Sequence, residues 1–155
     1  MLEVDIPGYG ELTLAHLVMD YNGTMACDGR LIDGVAERLD ALTGLTIHVL
    51  TADTFGRAGA ELAGTPAELS ILPEAAQDRG KLAYIKQLGA DQTVAIGNGR
   101  NDRLMLAGAA LGIALIQKEG ACVATVNAAD MVCPDILSAL SLLSAPRRLI
   151  AGLRS

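Results

Sequence analysis

Two short segments far apart in the chain hold the residue types that chemistry at phosphorus needs. Asp20-Tyr21-Asn22-Gly23-Thr24 follows one apolar run, and Gly97-Asn98-Gly99-Arg100-Asn101-Asp102 follows another. Thr51 closes a third run, and Lys81 stands beside Gly80 where a helical stretch begins. These positions bring two carboxylates, a hydroxyl, an ammonium and two glycine turns to the ends of elements. Phosphoryl transfer requires a nucleophile in line with phosphorus, a hard cation on its oxygens, and donors for charge that spreads in the transition state. Asp20 can supply carboxylate oxygen for attack and for a cation. Asp102 can supply a second oxygen to Mg²⁺, which prefers oxygen ligands and keeps several of its waters. Gly23 and Gly99 let backbone amides approach an anion, while Thr51 and Lys81 donate to phosphate oxygens. The ligand so implied is a small phosphorylated compound.

These residues need a scaffold that gathers strand ends. Short β-rich runs alternate with stretches of helical periodicity, which predicts an α/β fold, a doubly wound parallel sheet between two helical layers. A hairpin is expected from Met1 to Ile6, a turn at Pro7-Gly8-Tyr9-Gly10, and a second arm from Leu12 to Met19 that doubles as the first central strand. Further strands are expected at 45–50, 69–72, 93–96 and 111–115, with a weaker one at Met131-Val132. Helices are expected at 33–42, 54–62, 79–88, 101–109 and 135–143. In such a sheet, ligands bind at the carboxyl ends of the strands, where the chemistry-bearing residues fall.

Composition bounds the rest. The 155 residues suit one domain, 1–155, and 51% apolar against 19% charged residues excludes the signature of disorder. Aromatics are only 3% and the formal charge is −6, which argues against base stacking and against nucleic acid as a partner. The longest uncharged stretch, 104–117, is shorter than the ~20 apolar residues of a membrane span, and the amino end lacks the pattern of an export signal. A cytoplasmic protein with no membrane partner is expected. Three cysteines without a C-x-x-C pair encode neither a disulfide framework nor a zinc site, and buried filler is their expected role.

Asp20-Tyr21-Asn22-Gly23-Thr24 resembles the Asp-x-Asp-Gly-Thr hallmark of the haloacid dehalogenase (HAD) superfamily, with one change. Thr51, Lys81 and Gly97–Asp102 resemble the second, third and fourth motifs, so the likeness runs from residue 12 to about 145. Within the superfamily, Thr51-Ala52-Asp53, the stretch from Gly97 through Ala114, and Ala128–Val132 look most like the phosphorylation domain of P-type ATPases.

The resemblance implies a HAD-like Rossmannoid fold and a phosphatase-type hydrolase. Asp20 would be the phosphorylated nucleophile. Thr51, Lys81, Gly23 and Asn101 would bind phosphate. Mg²⁺ would be held by Asp20, the carbonyl of Asn22, Asp102 and the position of Asn98. Two departures matter. Asn22 stands where phosphatases of the family have an acid/base Asp, so leaving-group protonation and phosphoenzyme hydrolysis should be slow. Asn98 replaces an Asp and removes a negative charge beside the cation. The alternative is a catalytically weak phosphate-binding or regulatory module. A response-regulator receiver, or a dehalogenase proper that dispenses with metal, fits the order and types of these residues less well.

Only 26 residues separate Thr24 from Thr51 and 29 separate Thr51 from Lys81, so no cap domain is expected, and an open site favours a homo-oligomer. Asp53 reads as a helix cap, and His16 and His48 as packed histidines. The tail after Pro146 reads as a terminal helix docked on its own domain.

Overall fold

A computed structural model describes residues 1–53 and 56–155. The chain opens with β1 (Leu2–Ile6) and β2 (Gly10–Leu14), an antiparallel hairpin pairing Leu2 with Leu14 and Ile6 with Gly10. The expected second arm is two strands rather than one. The chain leaves the hairpin at Ala15, whose amide donates to Gln92 and whose carbonyl accepts from Thr46, and β3 (His16–Asp20) begins a separate sheet. The apolar run hides this break, because β2 rests on the core while β3 is covered on both faces.

β4 (Ala26–Cys27) and β5 (Arg30–Leu31) form a miniature hairpin that the sequence reading missed. Its turn, Asp28-Gly29, has positive φ at both residues, 52° and 77°, which is the geometry that Asp-Gly favours. There follow α1 (Val35–Ala41), β6 (Thr46–Thr51), α2 (Ala58–Glu61), β7 (Ala67–Ile71), α3 (Gln77–Leu88) and β8 (Thr93–Gly97). Then come α4 (Arg103–Gly108), β9 (Leu111–Leu115), α5 (Val123–Ala128), β10 (Met131–Cys133), α6 (Ile136–Ser144) and α7 (Pro146–Leu153). The expected helix over 54–62 is observed only as the single turn α2, and its first two positions lie outside the described residues. Helix α5 was not expected at all: VATVNA carries two β-branched valines and no apolar stripe.

Six strands make one wholly parallel sheet in the order β10-β9-β8-β3-β6-β7. The chain winds outward from β3 through β6 and β7, then returns to the other side of β3 for β8, β9 and β10. The direction reverses between β3 and β8, and a doubly wound sheet opens its ligand crevice at that point. Asp20 ends β3 and Gly97 ends β8.

Period-two alternation divides each strand between two cores. Leu17, Met19, Ile47, Val49, Val94 and Ile96 face the side covered by α1, α6 and the opening hairpin. Val18, Leu50, Ala95 and Ala114 face Ile85 of α3 and Met105 and Leu106 of α4. Helix α7 docks by its buried Leu149 against this same domain, and the Ser155 amide donates to Pro7. Between β3 and β6 lie only the β4–β5 hairpin and α1, and among the described residues there is no cap domain. No single helix among them is long and apolar enough to cross a membrane.

Candidate active site

Asp20 stands at the carboxyl end of the central strand and is 7% exposed. Lys81, one turn into α3 and 0% exposed, donates to Asp20 Oδ1 at 2.6 Å and to Asp102 Oδ1 at 2.7 Å. The sequence could not show this bridge, since its three members are 21 and 61 residues apart. Burial of an ammonium is tolerable only with such partners. Burial alone would lower the Lys81 pKa, but the two carboxylates outweigh it and the net shift is upward, so Lys81 is held as the cation. Asp20 is pushed up to about 7, by burial first and by the Asp102 charge second, against the opposing pull of Lys81 and an amide bond from Tyr21. With both carboxylates ionised the three charges sum to −1, which is why the Asp102 charge favours a proton on Asp20.

Asp102 is wholly enclosed. Its Oδ2 accepts from the amides of Asn98 and Gly99, at 3.0 and 2.9 Å, while Oδ1 accepts from Lys81. This carboxylate therefore pins the β8–α4 turn and aims Lys81 at Asp20. Gly97 explains itself here: a β-carbon would stand 2.5 Å from Asp102 Cγ.

A cavity of about 420 Å³ opens above Asp20, walled by Asn22, Thr51, Asn98, Gly99 and Asn101 among others. Lys81 and Asp102 do not line it. The buried Thr51 accepts from the Asp53 amide at 2.9 Å, which leaves its hydroxyl hydrogen for an acceptor in the cavity. Gly23 departs from expectation as an amide donor to anions: its N–H donates to the Ala26 carbonyl at 2.8 Å, closing the turn into β4. Its φ of +79° and the nearness of Asn98 and Glu119 side chains still require glycine. The Asn98 amide ties loops together, accepting from Thr24 at 3.3 Å and donating to Gly120 at 3.0 Å. The side-chain oxygen of Asn22 is buried without a hydrogen-bond partner among the described residues.

Glu74, Gln77 and Glu119 also line the cavity, and sequence reasoning did not single them out. They sit in loops or at the first turn of α3, where no motif marks them. Asp53 was expected to cap a helix starting at the next residue; α2 instead starts at Ala58 with Arg57 at its N-cap, and Asp53 Oδ1 accepts from the amides of Arg57 and Ala58 from further upstream. His16 and His48 pack as expected, with ring nitrogens 3.2 Å apart, and His48 reaches Tyr84 at 3.1 Å. Of the cysteines only Cys133 is buried; Cys27 and Cys122 are half-exposed.

The winding, the uncapped sheet and a carboxylate–ammonium–carboxylate bridge at the switch point define a HAD-like α/β fold. A phosphatase of the HAD enzyme superfamily from Bacteroides thetaiotaomicron superposes with a TM-score of 0.60 at 11% identity, covering 90% of this chain and 96% of that one. The 3-deoxy-D-manno-octulosonate 8-phosphate phosphatase of Moraxella catarrhalis, whose structure holds magnesium, phosphate and a KDO molecule, superposes with a TM-score of 0.68 at 16% identity, covering 89% and 92%. No protein-family model matches the chain. An uncharacterized protein of Methanocaldococcus jannaschii is 49% identical over 78 residues, 48% of this chain and 84% of that protein, and the chain belongs to the same family as it does.

Proposed function

We propose that this protein is a magnesium-dependent, HAD-like hydrolase of small phosphorylated compounds that works through an aspartyl-phosphate on Asp20. The observation that carries this reading is the Lys81 ammonium held between Asp20 and Asp102 where the strand order reverses. Phosphatases of the same fold, one with magnesium and phosphate in its structure, support it.

Three acidic residues, Asp20, Glu74 and Glu119, line the cavity, so a phosphate dianion needs a cation to enter. The donors suit a hard one: the Asp20 carboxylate, the carbonyl of Asn22 and its unpartnered side-chain oxygen, and Asn98 through its remaining lone pair. Asp102, with three bonds already accepted, contributes its charge and at most one lone pair. When bound, magnesium would neutralise charge on the phosphate oxygens. Lys81 fixes the Asp20 carboxylate, whose oxygen attacks phosphorus as the bond to the leaving oxygen breaks. Thr51 and Asn101 donate to the phosphoryl oxygens. Asn22 cannot protonate the leaving group, so turnover is slow, by about 10²–10⁴-fold relative to a site with an acid there. The same reading places the protein in the cytoplasm as a homo-oligomer, in which a second copy covers the uncapped cavity.

A second reading, a phosphate-binding or regulatory module related to the phosphorylation domain of P-type ATPases, is favoured by Asn22 and Asn98 standing where carboxylates would serve turnover. Assay of an aryl phosphate with magnesium, for the wild type, Asp20→Asn and Asn22→Asp, separates the two. The hydrolase reading expects slow turnover lost in Asp20→Asn and raised in Asn22→Asp. A silent wild type and Asp20→Asn, with activity only in Asn22→Asp, establishes the module.

A further inference from the structure

A second cavity, of about 240 Å³, adjoins the first and shares Glu119 with it. Gly23, Ala26, Cys27, Ile32 and Gln117 line it. The polar atoms of this lining are engaged with one another. Gly23 N–H donates to Ala26 O, and the Ala26 amide donates to Tyr21 O. The Gln117 side-chain amide donates to the carbonyls of Gly23 and Thr24, and its oxygen accepts from the Ile136 amide at 3.2 Å. What faces the space is therefore carbon and sulfur. A polar occupant would be stripped of water without gaining partners, whereas an apolar one gains by leaving water. Lys118, Glu119 and Asp135 also line the cavity, one cation among two carboxylates, so charge alone does not choose the occupant and the apolar surface does.

We infer that this cavity receives the organic part of the substrate. It thereby selects monophosphate esters of compact, largely apolar alcohols over those of polyhydroxylated ones. The inference rests on the phosphate-site reading of the Asp20 cavity and gives it a substrate class. Size agrees: an apolar cavity of ~150 Å³ already holds a benzene ring, and this one is larger. Glu119 lines both cavities, and Asn22 of the first precedes Gly23 of the second, where a β-carbon would stand 2.5 Å from Asn98 Nδ2 of the first.

Two measurements test this. Kinetics compare benzyl phosphate with glycerol phosphate, both esters of aliphatic alcohols, for the wild type and Ile32→Ser. The expected result is a KM for benzyl phosphate about tenfold higher in Ile32→Ser, and a far smaller change for glycerol phosphate. The second needs no variant: iodoacetamide labelling of Cys27, which lines the cavity, in the presence of magnesium and benzylphosphonate or methylphosphonate. Loss of labelling at Cys27 with benzylphosphonate alone, and unchanged labelling at Cys122, is expected. If hydrolysis is abolished by Asp20→Asn but Ile32→Ser changes neither substrate and Cys27 is unprotected, the cavity's role is overturned and the phosphatase reading stands. Protection of Cys27 without turnover by the wild type has the reverse meaning.

Discussion

Removing the proposed nucleophile should make this protein more stable. Burial and the Asp102 charge raise Asp20 to about 7 from an ordinary 3.8, even with Lys81 beside it. A folded-state pKa above the unfolded one means that the folded chain binds the proton more tightly, so stability is lost as pH rises from about 4 to about 7. A displacement of roughly three pKa units corresponds to about 4 kcal/mol as an upper bound. Sharing of the proton with Asp102 and partial exposure bring the expected difference to about 1–3 kcal/mol. Asp20→Asn supplies a neutral group of nearly the same shape. It should exceed the wild type by that amount at about pH 8, a rise of roughly 2–10 °C in Tm for a chain of this size, and approach it near pH 4. Urea unfolding of both proteins in the presence of a chelator at the two pH values is the assay. A variant less stable than the wild type at the higher pH, or a gap independent of pH, would refute the electrostatic account of the Asp20–Lys81–Asp102 bridge.

Magnesium affinity should strengthen as pH rises through about 7, because the cation must displace the proton that burial and the Asp102 charge hold on Asp20, and an affinity flat from about pH 5 to 9 would contradict this. Lys81→Met leaves two buried carboxylates facing each other and should cost about 3–5 kcal/mol in urea unfolding; a loss below about 1 kcal/mol would show the bridge to be unimportant. Gly112→Ala sets a β-carbon 2.5 Å from the backbone oxygen of Leu106. It should lower stability by about 1–3 kcal/mol, whereas an unchanged Tm would mean that the β9–α4 contact yields freely.

The motif positions were legible because they lie at element ends, where residue type is dictated by chemistry rather than packing. Asp20, Thr51 and Gly97 fall at the ends of β3, β6 and β8, and the runs before them are apolar because those strands are covered on both sides. What the chain order could not show was which groups face one another. Asp102 is a carboxylate in a motif, and only the fold reveals that its oxygens are enclosed by Lys81 and two amides. The glycine at position 23 likewise announces a tight turn, but not whether its amide points at a ligand or, as here, at Ala26. Ala15 lies between β2 and β3 with no local signal of the break, since the apolar residues of the two strands follow one another closely. Glu119 reaches the cavity from a loop after β9, and loop residues carry no periodicity from which to place them.

The central claim is that the Asp20 carboxylate captures phosphorus beside a divalent cation. A crystal structure of the protein with magnesium and beryllium fluoride tests it most directly. Density joined to an Asp20 oxygen, with a cation against Asp20 and the Asn22 carbonyl, is the expected result. Fluoride density elsewhere in the cavity, or an Asp20 still bonded only to Lys81 with no cation bound, would contradict it.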